Sequence, residues 1–420
     1  MNYNANIKPD LPMLAMLQTQ QIPFPLETAR ELLASYGSPL YVYKGDRLRE
    51  TIDFIGNSIP YPRTQFQFAS VTNGNISLLQ IFREAGWGLH ANTPGDAFLG
   101  LKAGFLPQQI VYSGSNLNSQ EIEQMLAWGV TTFNLDSVEQ LKLFGKVYRE
   151  KFSQKIRPKL GFRLNLPELT GESRIGVRPS EFPAAITIAK SFDLKLKGLH
   201  FYRGTGTNAT EAFTQVIDKV LATCKLLPDW EYLDFGGGFG YPYKRDGASF
   251  DWQKFGEELT GRVEKLDREI DLIIEPGRAA IACCGSLITK VVSVKWQGEK
   301  QEKQIVGVDT TVANLSVPSV HGGYREIVSF KDTKKTPLHQ TDVCGNTTYS
   351  RDYLGRNCQL PSLQNGDILL ILDTGAYGYA MSSHFLHRPR PAEVLLEGGK
   401  HRLIRQREGY DILLNNQVFS

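Results

Sequence analysis

The sequence predicts an α/β protein whose larger part is a parallel (β/α)8 barrel over residues 40–285, followed by a mainly β domain. Three observations carry this reading. About eight short apolar runs each end in polar or glycine-bearing residues, amphipathic stretches separate them, and the pattern changes after Gly285 to β-branched runs with turns. A chain of 420 residues with 41% hydrophobic content also exceeds what one compact domain usually needs.

Taken in order, the runs Gln65–Ser70, Trp87–Ala91, Gln109–Tyr112, Thr131–Asn134, Lys159–Leu164, Leu196–Phe201, Tyr232–Phe235 and Leu272–Glu275 read as buried strands. Between them, Ile76–Ala85, Ser119–Trp128, Val138–Tyr148, Ala209–Leu227 and Trp252–Ile270 have the spacing of helices that cover the outside of a barrel. Beyond Gly285, the runs Leu287–Val294, Gln304–Val308 and Ile368–Leu372 predict strands of the second domain. No internal repeat or low-complexity linker interrupts the chain.

Composition excludes several classes. The net charge of +3 is spread without a basic block, which gives nucleic-acid binding no support. No segment approaches about eighteen consecutive apolar residues and no secretory signal is evident, so a membrane span is not expected. Cys224, Cys283, Cys284, Cys344 and Cys358 are odd in number and irregularly spaced, which argues against a disulfide framework or a zinc site. Free thiols in a cytoplasmic protein, and no metal, are the expectation.

Two loops carry chemistry. In Asp234-Phe-Gly236-Gly237-Gly238-Phe-Gly240, glycines after a buried strand let backbone N–H groups approach an anion. In Ile274-Glu275-Pro-Gly277-Arg278, one carboxylate and one guanidinium stand at a strand end, where a barrel enzyme builds its site. Together they point to a phosphorylated, nitrogen-containing ligand. The alternative is that the glycines only make a tight turn and Glu275 pairs with Arg278.

These loops, with Asp373–Tyr379, Arg388–Val394, Leu101–Phe105 and Gly398–Lys400, resemble the fold-type III pyridoxal-phosphate decarboxylases in the family's order, and the diaminopimelate decarboxylases most of all. The resemblance implies a TIM-type barrel, a second domain formed by residues 1–39 and 286–420, and a homodimer with sites at the interface. It also implies an amine or amino-acid substrate. Glu275 then corresponds to the carboxylate that bonds the pyridine nitrogen. Arg278, the Gly236–Gly238 backbone, Gly277 and Tyr377 correspond to the cofactor's phosphate side. His200 reads either as a hydrogen-bonded strand residue or as a cofactor contact, and Tyr202 replaces the family histidine that stacks on the ring.

The departures from the family pattern concentrate in the pocket. In Phe68-Ala69-Ser70-Val71-Thr72-Asn73, Val71 stands where the resemblance places the lysine that tethers the cofactor. His90 replaces an acid, Thr348 a proton-donating cysteine, Tyr349 a substrate-contacting glutamate and Val317 a substrate-binding arginine. Loss of a positioned general acid is typically worth about 10²–10⁴-fold. Noncovalent pyridoxal phosphate is therefore expected, with a substrate less charged at its distal end. Three functions stay open: altered decarboxylase or lyase chemistry with His90, Tyr202, Thr348 and Tyr349 as catalytic candidates, a ligand-binding or regulatory pseudoenzyme, and a noncatalytic subunit paired with an active relative.

Overall fold

The structure, a computed structural model, describes residues 22–244, 246–298, 302–332 and 335–419. Eight parallel strands close a barrel: β2 (Thr64–Ala69), β3 (Gly88–Ala91), β4 (Ile110–Tyr112), β5 (Thr132–Leu135), β6 (Lys159–Arg163), β7 (Leu196–His200), β8 (Tyr232–Asp234) and β9 (Asp271–Ile274). Closure comes from β2 pairing with both β3 and β9. β3, β4, β5 and β8 are buried along their whole length. A parallel strand covered on both faces reads as a continuous apolar run, which is why these segments are visible in the sequence.

Polar residues start the covering helices. Thr93 and Asp96 cap Pro94–Lys102 reciprocally, and Asn118 with Glu121 does the same for Ser119–Ala127. Asn75, Ser137 and Asp251 each accept a backbone N–H at the start of Ile76–Glu84, Val138–Lys151 and Trp252–Val263. Two helix expectations need revision: Ala209–Leu227 divides into Glu211–Thr214 and Ile217–Cys224, and the helix from Trp252 stops at Val263 rather than Ile270.

The second domain is one nine-stranded sheet. It contains β1 (Leu40–Lys44), β10 (Gly285–Gln297), β11 (Lys303–Val308), β12 (Ile327–Ser329), β13 (Leu338–Cys344), β14 (Tyr353–Pro361), β15 (Ile368–Ile371), β16 (Ala392–Glu397) and β17 (Lys400–Arg405). The sequence boundary at residue 40 therefore moves, because β1 pairs antiparallel with β10 and parallel with β16 in this sheet. The helix Leu26–Tyr36 packs on it too, with Ala29, Leu32 and Leu33 buried against Leu40, Val42, Ile288 and Leu370. Residues 1–21, part of the segment 1–39 assigned to this domain, lie outside the described residues.

The two domains meet where the site lies. The loop after β15 crosses to the short turn after β2: Tyr377 donates its N–H to the Thr72 carbonyl at 2.9 Å, and Asn73 Nδ2 donates to the Gly375 carbonyl at 3.1 Å. On the opposite side, Phe239 holds the glycine loop in an aromatic cluster, with ring centroids 4.7 Å from Phe213 and 4.5 Å from Trp252. Such rings bury large areas and fix a loop that has no regular structure of its own.

Candidate active site at the barrel mouth

The C-terminal ends of the barrel strands surround a cavity of about 220 Å³. His90 from β3, Arg163 from β6, His200 from β7 and Glu275 just after β9 project into it, with Tyr202, Gly237, Gly238, Gly277, Arg278 and Tyr377 around them. Val71, 42% exposed, completes the rim, and the described wall includes no lysine. Lys102 ends the helix Pro94–Lys102, with its Nζ over the Phe98 ring.

Glu275 forms the floor. Its Oε2 lies 3.3 Å from His200 Nε2 and its Oε1 lies 3.4 Å from His90 Nε2. The second contact lacks hydrogen-bond alignment, so Oε1 and both His90 nitrogens are buried without a partner. Burial pushes the Glu275 carboxyl up to about 7, and Arg163 pulls the other way. The two imidazoles are held neutral. Burial, then the His200 and Arg163 charges, lowers His90 to about 3; burial lowers His200 to about 4. Glu275 therefore faces two histidines and does not pair with Arg278.

Beneath Glu275, Asp234 is fully buried, and burial followed by the Glu275 charge holds its carboxyl well above the usual carboxylate range. It accepts Asn134 Nδ2 at 2.9 Å and the Gly236 N–H at 3.0 Å, while Tyr232 Oη donates to Asn134 Oδ1 at 2.8 Å. This network fixes the start of the glycine loop.

That loop needs its glycines. Gly236 and Gly238 have φ of +70° and +96°, and a Cβ on Gly238 would lie 2.1 Å from the Gly204 carbonyl oxygen. The loops after β7 and β8 are stitched by Gly206 N–H to Gly238 O at 3.0 Å and Gly240 N–H to Thr207 O at 2.9 Å. Beside them Arg278 lies 4.8 Å from the Tyr377 ring centroid and donates to Tyr243 Oη at 3.3 Å. A backbone cradle with one guanidinium is suited to a phosphate.

Of the residues singled out in the sequence, His90, His200, Tyr202, Gly237, Gly238, Glu275, Gly277, Arg278 and Tyr377 share the cavity wall, and Gly236 lies immediately behind it. Thr348 and Tyr349 lie outside this wall, on the turn between β13 and β14; Tyr349 packs edge-on against Phe385 at 5.4 Å. Asn92, Thr205 and Gly206 line the wall without having been assigned a role in the sequence, as does Arg163. Its guanidinium lies 4.9 Å from the Tyr202 ring centroid, and the signal for it was its place at a strand end in Leu160–Asn165. The five cysteines are free thiols, as their spacing predicts. No described helix is long and apolar enough to cross a membrane.

The residues fit pyridoxal phosphate on structural grounds: an unpartnered buried carboxylate oxygen for a protonated ring nitrogen, and a glycine cradle with Arg278 for the phosphate. Comparison with known proteins agrees. The family model for the pyridoxal binding domain of pyridoxal-dependent decarboxylases matches residues 47–282. Diaminopimelate decarboxylase of Methanothermobacter thermautotrophicus is 32% identical over 405 residues, covering 93% of this chain and 94% of that protein. The Aquifex aeolicus enzyme of the same name is 30% identical, covering 92% and 93%. The crystal structure of diaminopimelate decarboxylase from Helicobacter pylori complexed with L-lysine superposes with a TM-score of 0.83 at 27% identity, over 92% of this chain and 98% of that one. A barrel closed on eight strands, a β-rich second domain and matches of this length establish that the chain belongs to the pyridoxal-phosphate-dependent decarboxylase family.

Proposed function

We propose that this chain binds pyridoxal phosphate noncovalently at the barrel mouth and acts on an amine or amino acid by an altered decarboxylase or lyase-type reaction. The observation that carries the reading is a buried, unpartnered Glu275 oxygen in a cavity with a phosphate cradle and no lysine in its described wall. When bound, the cofactor supplies a carbonyl that condenses with an amine and a ring that draws electrons from the bond being cleaved.

The chain's own residues do the rest. Glu275 holds a proton at the ring nitrogen, and the Gly237 and Gly238 N–H groups with Arg278 hold the phosphate. Tyr202, under the Arg163 guanidinium and bonded through its hydroxyl to Thr205 Oγ1 at 2.8 Å, covers a ring face. His90 is neutral at physiological pH and is the group placed to pass a proton at the floor of the cavity. A homodimer supplies Thr348 and Tyr349 from the second copy, which accounts for their distance from the cavity in their own chain. Five unpaired thiols fit a reducing, cytoplasmic setting.

The lysine-free wall also favours a second reading, a ligand-binding pseudoenzyme. Carbon dioxide release from a panel of amino acids separates the two, since turnover by the wild type excludes the pseudoenzyme. For cofactor binding, borohydride treatment of the wild-type mixture should leave pyridoxal phosphate dialysable, whereas Val71→Lys should gain a covalent adduct. Covalent attachment to a native lysine, or no calorimetric uptake of the cofactor, would overturn the proposal. Light scattering at the mass of one chain would remove the homodimer from it.

A further inference from the structure

The opposite end of the barrel is also hollow. Where β2 and β3 begin, away from the cofactor cavity, a second cavity of about 470 Å³ opens between these strands and the end of the helix Gly45–Gly56. It reaches inward to Gln67. Along β2, Phe66 stacks on Trp87 at 5.1 Å and Phe68 stacks on Phe82 of the helix Ile76–Glu84 at 3.7 Å, so both rings face the covering helices. Strand alternation then turns Gln65 and Gln67 toward the barrel axis.

Gln67 is only 4% exposed, and its Oε1 is buried without a hydrogen-bond partner. The amide lies over Gly88, its register partner on β3, where a Cβ would stand 2.1 Å from that oxygen. A buried acceptor left unmade is costly, and an N–H entering through the cavity would complete it. The rest of the wall sets the character of the visitor. Asp53 is the one charged side chain among the described residues of the wall, and it stands exposed at the rim with Asn57, Gln65 and Gln108. A carboxylate there opposes an anion and accepts hydrogen bonds from hydroxyl groups. A carboxamide such as that of Gln67 presents an acceptor and a donor side by side, the pattern that pairs with the N6 and N7 edge of adenine. The volume is that of a small-molecule site and exceeds what a lone amide group would fill.

We infer that this end of the barrel is a second ligand site, built for an uncharged adenine nucleoside whose base edge meets Gln67 and whose sugar hydroxyls lie toward Asp53. The site is separate from the cofactor cavity and shares no lining residue with it.

The test is equilibrium dialysis of the full-length protein against adenosine, inosine and AMP, each with and without saturating pyridoxal phosphate. Adenosine should bind equally well in both conditions. Inosine, which carries an acceptor where adenine has its N6 donors, should bind about 10-fold more weakly. AMP should also bind more weakly than adenosine, because its phosphate meets the Asp53 carboxylate. Gln67→Leu should erase the preference for adenosine over inosine, and Asp53→Asn should bring AMP up to adenosine. The exposed position of Asp53 keeps the second variant available if the first does not fold. No uptake of adenosine by the wild type, or equal affinities for adenosine and inosine, would overturn the inference. So would AMP binding more tightly than adenosine, a preference that survives both substitutions, or displacement of adenosine by pyridoxal phosphate, which would place the nucleoside at the other mouth.

Discussion

Replacing His90 with leucine removes an imidazole whose protonation the fold opposes. Burial, then the positive fields of His200 and Arg163, lowers its pKa from 6.5 to about 3. A histidine depressed in the folded state takes up its proton on unfolding at any pH between those two values. Its contribution to stability is therefore complete above pH 6.5 and drains away as the pH falls toward 3. One proton corresponds to a gradient of about 1.4 kcal/mol per pH unit, so between pH 6.5 and 5 the wild type should lose about 2 kcal/mol through His90 alone. Leucine does not titrate. Glu275 moves in the opposite sense, because burial raises its pKa to about 7: the stability it contributes is present below its ordinary 4.5 and is lost as the pH rises through 7. His200, lowered to about 4, follows the sense of His90. His200 and Glu275 are present in both proteins, so the difference between wild type and variant carries the His90 titration together with its coupling to these two neighbours. Urea unfolding of the apoprotein followed by tryptophan fluorescence should place His90→Leu near wild type at pH 7.5. The variant should gain about 2 kcal/mol on it by pH 5. Parallel stability curves across that range would show that His90 is not the neutral, buried group described above.

Two further substitutions probe the cofactor side. Glu275→Gln should weaken pyridoxal phosphate binding about 10- to 100-fold by losing a charge-assisted bond to the ring nitrogen; an unchanged absorbance titration would place that nitrogen elsewhere. Gly238→Ala should cost about 1–3 kcal/mol, because its Cβ meets the Gly204 carbonyl oxygen at 2.1 Å with φ at +96°. A thermal midpoint and cofactor affinity both equal to wild type would mean that the cradle yields without cost.

The eight barrel strands were legible because each is a short apolar run that ends in polar or glycine-bearing residues, and each observed strand falls within two residues of its expected bounds. The glycine loop and the Glu275–Arg278 segment were legible for a similar local reason: positive φ and strand-end charge are written in adjacent residues. The domain boundary at residue 40 fell one strand too early, because the apolar run Leu40–Lys44 does not show which sheet it joins. Only its pairing with β10 and β16 decides that. The break inside 209–227 had no glycine or proline to announce it.

The sequence by itself determined the alternation of strand and helix, the anion cradle and the absence of a lysine between Lys44 and Lys102. These follow from side-chain period and backbone freedom, which depend on neighbours in the chain. Tertiary structure alone decided that His90 and His200 flank Glu275 and that Arg163 overlies Tyr202. Those groups meet only when the barrel closes. Their charge states follow from burial and through-space fields, which no linear spacing contains.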